Sequence, residues 1–256
     1  MLSLISPAKK QLPPPSSTKI GHHPPRFPSQ TKALMDILSP FDEKQLMDLM
    51  KISPKLAELN VERNQLFSFP HLPSNSCQAG VAFQGDTYVG LDSDSFTEED
   101  WQFAQQHLAI LSGLYGLLAP LDLVQPHRLE MGTRLNNAHG KSLYPFWGEV
   151  VTQEINTLLD NDPNHWVVNL ASQEYFKVVL TAKLRPQLLT PVFKDNRGGK
   201  LKVIGIKAKK ARGKMARFII QNRLTSPDSL QSFAEDGYRF NPTLSNEREW
   251  VYVCDD

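Results

Sequence analysis

Cysteine is almost missing from this chain: Cys77 and Cys254 are the only two in 256 residues. Two thiols exclude a disulfide framework and a cysteine metal cluster, and they point to a reducing compartment. Long apolar runs are missing too. None reaches the ~18 residues that a membrane-spanning helix needs. The opening MLSLISPAKK has an apolar run too short for a secretory signal, and its lysines follow that run instead of preceding it. The expected location is the cytoplasm, with no membrane partner. Histidine is sparse, and the seven present lack ligand spacing, so no metal site is expected. There is no Walker loop, no GxGxxG and no GxSxG nucleophile elbow, and no cofactor is expected. Net charge is also nearly absent, at +1. Global charge therefore argues neither for a nucleic-acid binder nor for an enzyme of acidic substrates.

The charge that is present is unevenly spread. Between Lys194 and Arg223 stand 11 Lys/Arg and one acid, Asp195, which leaves the rest of the chain at −9. A fold that gathers positive charge in this way makes a local field that steers anions. Apolar residues make up 40% of the chain, enough for a sizeable core in one domain of this length.

The element pattern is mixed α/β, with no internal repeat and no linker, and it predicts a single compact domain over 1–256 around a central, mostly buried sheet. Leu2–Ile5 reads as a short buried strand. A Pro-rich loop follows over 11–28, long enough to be a lid, a surface wrap or a disordered arm. Residues 30–66 read as helical, with Ser53-Pro54 opening a new helix. Ala79–Phe83 reads as a strand. Ser95 with Glu98 resembles a capping box, and the following helix carries Trp101, Ala104, Leu108 and Leu111 on one face until Gly113 and Gly116 break it. Pro145–Leu159 reads as a helix and Trp166–Val168 as a strand, with Ser172 capping the next helix. Leu201–Ile206 reads as a strand leading into a helix over 208–223. Tyr238–Phe240 and Trp250–Val253 read as closing strands.

Placed on these elements, the polar residues fall after strands. Ser6 and Lys9 follow the first strand, Asp86 and Tyr88 the one ending at Phe83. Asn169, Ser172 and Glu174 follow the strand ending at Val168, and Lys209, Lys210 and Arg212 follow the one ending at Ile206. Ligands of open α/β sheets sit outside the carboxyl ends of strands. Four polar clusters on one edge would make a cleft with acids, amides, hydroxyls and cations together. Each cluster taken alone would also serve as caps and turns.

Lys207, Lys210, Lys214 and Arg217 recur at helical spacing and share one face of the 208–223 helix. No acid lies between Asp195 and Asp228 to pair with them along the helix. The row is either a solvated face or a phosphate contact, and the start of the helix adds its own positive end. Residues 98–125 read as a helix, a Gly hairpin and a helix-like run. A hairpin of that kind presents N–H groups to a DNA phosphate. The spacing of Gly113 and Gly116 suits a helix C-cap and tight turn equally. Arg128 and Glu130 are either a structural ion pair or a substrate clamp with a general acid/base.

Together these segments resemble the YaaA-like peroxide stress proteins. The resemblance is carried by Leu4–Lys9, Phe83–Leu91, Leu111–Asp122, Arg128–Gly132, Asn169–Lys177, Phe193–Asp195, Lys209–Arg217 and Gly237-Tyr238, in order along almost the whole chain. It departs over Gln11–Pro28, which is richer in proline than the family usually is. Gln173 also stands where many relatives have Asn. The resemblance implies a cytoplasmic protein made under hydrogen peroxide stress that limits unincorporated iron. It also implies a mixed α/β fold with a positively charged cleft, a helix-hairpin-helix-like element and DNA binding. On that reading Lys9, Arg128, Lys207, Lys209, Lys210, Arg212, Lys214 and Arg217 contact DNA phosphates with Gly113 and Gly116 assisting, without reading sequence. The alternative is an enzyme acting on a nucleotide, nucleobase or damaged nucleic acid, with Asp86, Glu130 and Glu174 as catalytic candidates and Ser6, Tyr88, Asn169 and Ser172 as polar pocket residues. That alternative requires the carboxylates to line one pocket with the Lys209–Arg212 cations.

Overall fold

The computed structural model describes residues 1–14, 20–162 and 165–255. In chain order the elements are β1 (Leu2–Ile5), β2 (Lys10–Gln11), α1 (Pro28–Leu38), α2 (Glu43–Met50), α3 (Pro54–Leu66), β3 (Cys77–Gln78), α4 (Ala79–Ala82), β4 (Phe83–Gln84), α5 (Asp86–Leu91), α6 (Glu98–His107), β5 (Leu108–Ser112), β6 (Gly116–Leu118), β7 (Leu123–Val124), α7 (Leu143–Leu158), β8 (Trp166–Asn169), α8 (Gln173–Phe176), β9 (Gln187–Arg197), β10 (Lys200–Lys202), α9 (Gly205–Gln221), β11 (Tyr238–Phe240) and β12 (Glu249–Asp255). The main sheet has the order β11-β12-β9-β8-β1-β5-β6, with β10 on the side of β9. Its five middle strands, β12 to β5, are parallel, and β6, β10 and β11 pair antiparallel. The mixed α/β single domain with a central, mostly parallel sheet is thus the observed architecture.

Strands covered on both faces read as unbroken apolar runs, and Leu4, Ile5, Ile110, Leu111, Val167 and Val168 are all fully buried. β1 lies between β8 and β5, so the carboxyl ends of these three neighbours open on the same edge of the sheet. Helices α6 and α9 pack on the sheet, and α5 crosses α9 closely. Among the described residues no helix is long and apolar enough to cross a membrane.

Several local expectations change. Residues 98–125 do not form a helix-hairpin-helix. α6 ends at His107, and Leu108–Ser112 and Gly116–Leu118 form an antiparallel hairpin. A short, wholly apolar run has no readable period, and pairing Ile110 against Ile5 in the sheet decides the matter. The capping box lies two residues further on. Thr97 Oγ1 accepts from the Asp100 N–H at 3.2 Å, and an Asp100 carboxylate oxygen accepts from the Thr97 N–H at 2.9 Å. Ala79–Ala82 is a helical turn, not a strand. The basic strand is shorter than expected, only Lys200–Lys202, because it is the return arm of the long β9 across Gly198-Gly199. α9 then starts at Gly205.

The Pro-rich loop keeps a few ties outside residues 15–19, which lie beyond the described residues. The Leu12 N–H donates to Ala82 O at 2.8 Å, and the Gln78 side-chain amide donates to Ile20 O and Gly21 O. His23 bridges to Asp122. The described parts wrap the surface beside β7.

Burial of titratable groups makes the fold acid-sensitive. His127 is fully buried. Its Nδ1–H donates to Gln125 O at 2.8 Å, and burial pushes its pKa down to about 4. Burial likewise lowers His71 to about 4. Both stay neutral in the fold, whereas in the unfolded chain they take up protons near pH 6.5. Their contribution is therefore complete above pH 6.5 and is lost as pH falls towards 4. For His127 the loss is about 3 kcal/mol at 1.36 kcal/mol per unit; the partly exposed His71 contributes less after screening. Asp122 works the other way. Burial raises it to about 6, so its contribution is present at low pH and fades as pH rises from about 3.8 to 6. Urea denaturation across pH 4–7 is expected to show stability falling on acidification, and falling more steeply in Asp122→Asn. An unchanged slope in that variant would contradict the assignment.

Candidate functional site

The site is built where β1, β8 and β5 end. After β1, the Ser6 hydroxyl accepts from the Ser172 N–H at 2.9 Å and meets the Ser172 hydroxyl at 3.3 Å. This stitches the segment after β1 to the segment after β8. Ser172 is thereby used as a tie and makes no side-chain cap to α8. The buried Tyr88 hydroxyl donates to Ser6 O at 3.2 Å, and burial, with Tyr175 nearby, raises its pKa well above the usual phenol value.

The third strand end holds the Arg128–Gly132 loop. Gly113 follows β5, and a Cβ there would lie 2.2 Å from Leu129 O. The missing side chain lets the loop rest on the end of the sheet, which places Glu130 over it. Trp147 Nε1–H donates to Gly113 O at 2.8 Å and fixes the same turn. Gly116 is equally enclosed, against the Trp147 ring. Both glycines are buried packing residues, and the phosphate-contact role expected of them is corrected on that ground.

Ser6, Lys9, Asp86, Tyr88, Glu130, Ser172, Glu174, Lys209 and Arg212 line one cavity of ≈ 510 Å³. The sequence reading brought all of these forward. It missed Lys10 and Gln84, which face each other across β2–β4, and Thr87 and Tyr175, which also line the cavity. The signals were faint: a two-residue strand and a tyrosine beside a singled-out glutamate. The wall is of mixed sign, with Lys9, Lys10, Lys209 and Arg212 against Asp86, Glu130 and Glu174. Asn169 stays outside. Its side chain accepts from the Ala171 N–H at 3.1 Å and donates to Thr190 Oγ1 at 3.4 Å, so it shapes the turn.

The three carboxylates differ. Glu130 is held by Arg128 at 2.9 Å and Lys9 at 3.3 Å. Arg128 is therefore an ion-pair partner; it lines a small polar cell of ≈ 20 Å³ behind Glu130 and not the main cavity. Glu174 accepts from the Gly132 N–H at 3.1 Å. It and Glu130 also border a wider neighbouring opening of ≈ 870 Å³ towards α2. Among the described residues neither Asp86 nor Glu174 has an ion-pair partner. Burial raises the Tyr175 pKa, with Glu174 and Glu130 adding to it.

The cationic row is largely consumed. Lys207 pairs with the buried Asp195, Lys214 with Asp236 at 2.5 Å, and Arg217 with Glu235 at 2.7 Å and Asp92 at 3.1 Å. These acids come from β9, the segment before β11 and the end of α5, far away in sequence. The expected phosphate row of Lys207, Lys214 and Arg217 is thus an intramolecular pairing face. Lys210 lies on that face without an ion pair among the described residues. The cations that α9 supplies to the cavity are Lys209 and Arg212, one turn apart on a different side of the helix. They lie a turn or more inside the helix, so its N-terminus is not part of the site. Arg212 is half-buried, and burial lowers its pKa. Among the described residues no three His, Cys, Asp or Glu side chains are grouped to hold a metal ion.

A family model described as peroxide stress protein YaaA matches residues 1–244. A UPF0246 protein of Magnetococcus marinus is 50% identical over 253 residues, covering 99% of this chain and 98% of the relative. A UPF0246 protein of Acaryochloris marina is 50% identical over 252 residues, covering 98% and 99%. The cavity residues all fall within the matched span, and the chain belongs to the YaaA family of peroxide stress proteins.

Proposed function

We propose that this protein is a cytoplasmic enzyme of the peroxide-stress response, acting on the base of a nucleotide or of a damaged nucleic acid that it holds by a phosphate. The observation that carries the reading is the single cavity shared by Lys209 and Arg212 with Asp86, Glu130 and Glu174. Among the described residues the half-buried Arg212 guanidinium has no carboxylate partner, and an incoming anion would supply one. A plain anion trap has no use for three acids beside its cations. A substrate with a phosphate at one end and reacting or donor groups at the other uses both. Glu130, oriented by Arg128 and Lys9, is the acid/base candidate, because two cations fix its carboxylate in one place. The cavity volume is within the range of small-molecule sites.

A second reading is duplex DNA binding linked to the limiting of unincorporated iron, as the family resemblance implies. The exposed Lys200, Lys202 and Lys209 on one segment favour it. Calorimetric titration with 5′-mononucleotides, inorganic phosphate and a short DNA duplex at several salt concentrations separates the two, together with chromatography of the incubated nucleotides. The enzyme reading expects saturable mononucleotide binding and a new product. The DNA reading expects duplex affinity to fall with salt, by a log–log slope of about −0.9 per phosphate contact. Mononucleotides and phosphate that fail to bind at any salt would remove the first reading, and a flat salt response would remove the second.

A further inference from the structure

The geometry points to a free guanine nucleoside 5′-monophosphate as the ligand of the cavity, with its phosphate on Lys209 and Arg212 and the base edge on Glu174; this rests on the nucleotide reading above. The two walls of the cavity have different chemistry. α9 supplies Lys209 and Arg212, and α5, which crosses α9, supplies Asp86 on the same side. Glu174 comes from a separate element, α8 after β8. The phosphate and the far end of the ligand are thereby assigned to different elements of the cavity wall.

The three acids are not equivalent acceptors. Glu130 already faces Arg128 and Lys9. Asp86 lies on α5, the helix packed on α9, and is assigned to the phosphate side with it. Glu174 has no ion pair among the described residues, and Gly132 N–H holds one of its oxygens at 3.1 Å. It is an exposed acceptor held by one hydrogen bond. A Cβ on Gly132 would lie 2.9 Å from that oxygen, so the approach depends on glycine there. The wider opening beside Glu174 leaves room for a bicyclic base.

An ionised carboxylate only accepts hydrogen bonds, and it accepts best from two parallel donors. Among the common bases, guanine alone offers adjacent N–H donors, N1–H and the 2-amino group. Adenine and cytosine place an acceptor nitrogen beside their amino group, and uracil flanks its single N–H with two carbonyls. An acceptor pressed on Glu174 would be repelled. Hypoxanthine keeps N1–H and loses the second donor.

The test is calorimetric titration of the full chain with 5′-GMP, 5′-IMP, 5′-AMP, guanosine, inorganic phosphate and a short oligonucleotide carrying one unpaired guanine. The same series is run on Glu174→Gln, whose amide oxygen can still accept from Gly132. The expected result is 5′-GMP binding tighter than 5′-IMP and 5′-AMP by about fivefold to hundredfold. Guanosine should bind far more weakly, and Glu174→Gln should erase the preference while still binding inorganic phosphate. Equal affinities for the three nucleotides would overturn this inference and leave the nucleotide reading standing. Binding of the oligonucleotide with no binding of 5′-GMP would overturn it in favour of a polymer. Failure of every nucleotide and of phosphate would overturn both the inference and the reading beneath it.

Discussion

A Lys209→Ala/Arg212→Ala protein is expected to lose phosphate-ligand affinity by roughly a hundredfold or more, while Lys207→Ala/Lys214→Ala keeps it. The magnitude follows from hydrogen bonds to charged groups, which are worth roughly 1.5–3 kcal/mol each, in a cavity that partly excludes water. Arg212 is the stronger anchor. Its burial already disfavours its charge, and no carboxylate among the described residues offsets this. An incoming phosphate relieves that cost, so more is gained on binding than at a solvated lysine. Lys207 and Lys214 have partners in the fold. Removing Lys207 leaves the buried Asp195 with only the Tyr238 hydroxyl, 2.8 Å away, among the described residues, so that variant loses stability and not affinity. Titration of both variants with 5′-GMP, beside urea denaturation of both, separates the two faces of the helix. Equal loss of affinity in the two variants would mean that the charge of the whole segment acts as one field, and the cavity would lose its special standing.

That contrast marks the limit of what the sequence could tell. The positive charge of 194–223 was plain from composition, and so was the helix that carries much of it. Which lysines were free was not. The acids that pair with Lys207, Lys214 and Arg217 come from Asp195, Asp92 and the 235–236 turn, and three-dimensional folding alone brings them to α9. The convergence of Ser6, Ser172 and Glu174 was legible, because residues after the parallel strands β1 and β8 share an edge; Asp86 and Lys209 reach the same cavity on α5 and α9, which follow the antiparallel strands β4 and β10. The hairpin at Gly113 was not, since β5 is an apolar run that suits a buried helix or strand alike. Long β9 escaped notice because its alternation is interrupted by Pro191 and ends in a charged arm. Asn169 misled in another way. It has the right position after β8, but its amide is used up by the turn.

The largest effect on stability is expected from Gly213→Ala. The two helices that form the phosphate side of the cavity touch at their glycines. A Cβ on Gly213 would lie 1.8 Å from Thr87 O and 2.7 Å from Leu91 N; one on Gly90 would lie 2.1 Å from Lys210 O and 2.9 Å from Lys214 N. These neighbours are backbone atoms of regular helices, and no rotamer change can move them aside. A single methyl group must push α5 away from α9 by more than an ångström, against a core that is already close-packed. Overpacking of this kind costs about 3 kcal/mol or more, although alanine is otherwise the better helix former. Gly205→Ala is the matched control on the same helix, since nothing lies within 4 Å of its Cβ position. There the substitution should be neutral or stabilising by up to about 1 kcal/mol. Urea denaturation of the pair tests the contrast, and a Gly213→Ala protein as stable as the parent would contradict the close crossing. The functional consequence follows from what the helices carry. Asp86 and Tyr88 ride on α5, Lys209 and Arg212 on α9, so their separation is set by this contact. Any Gly213→Ala protein that still folds should bind 5′-GMP more weakly than the parent even at a temperature where it is fully native. A stability defect alone would leave the affinity of the folded fraction unchanged, and that difference would tell whether the glycine crossing positions the cavity or merely holds the fold together.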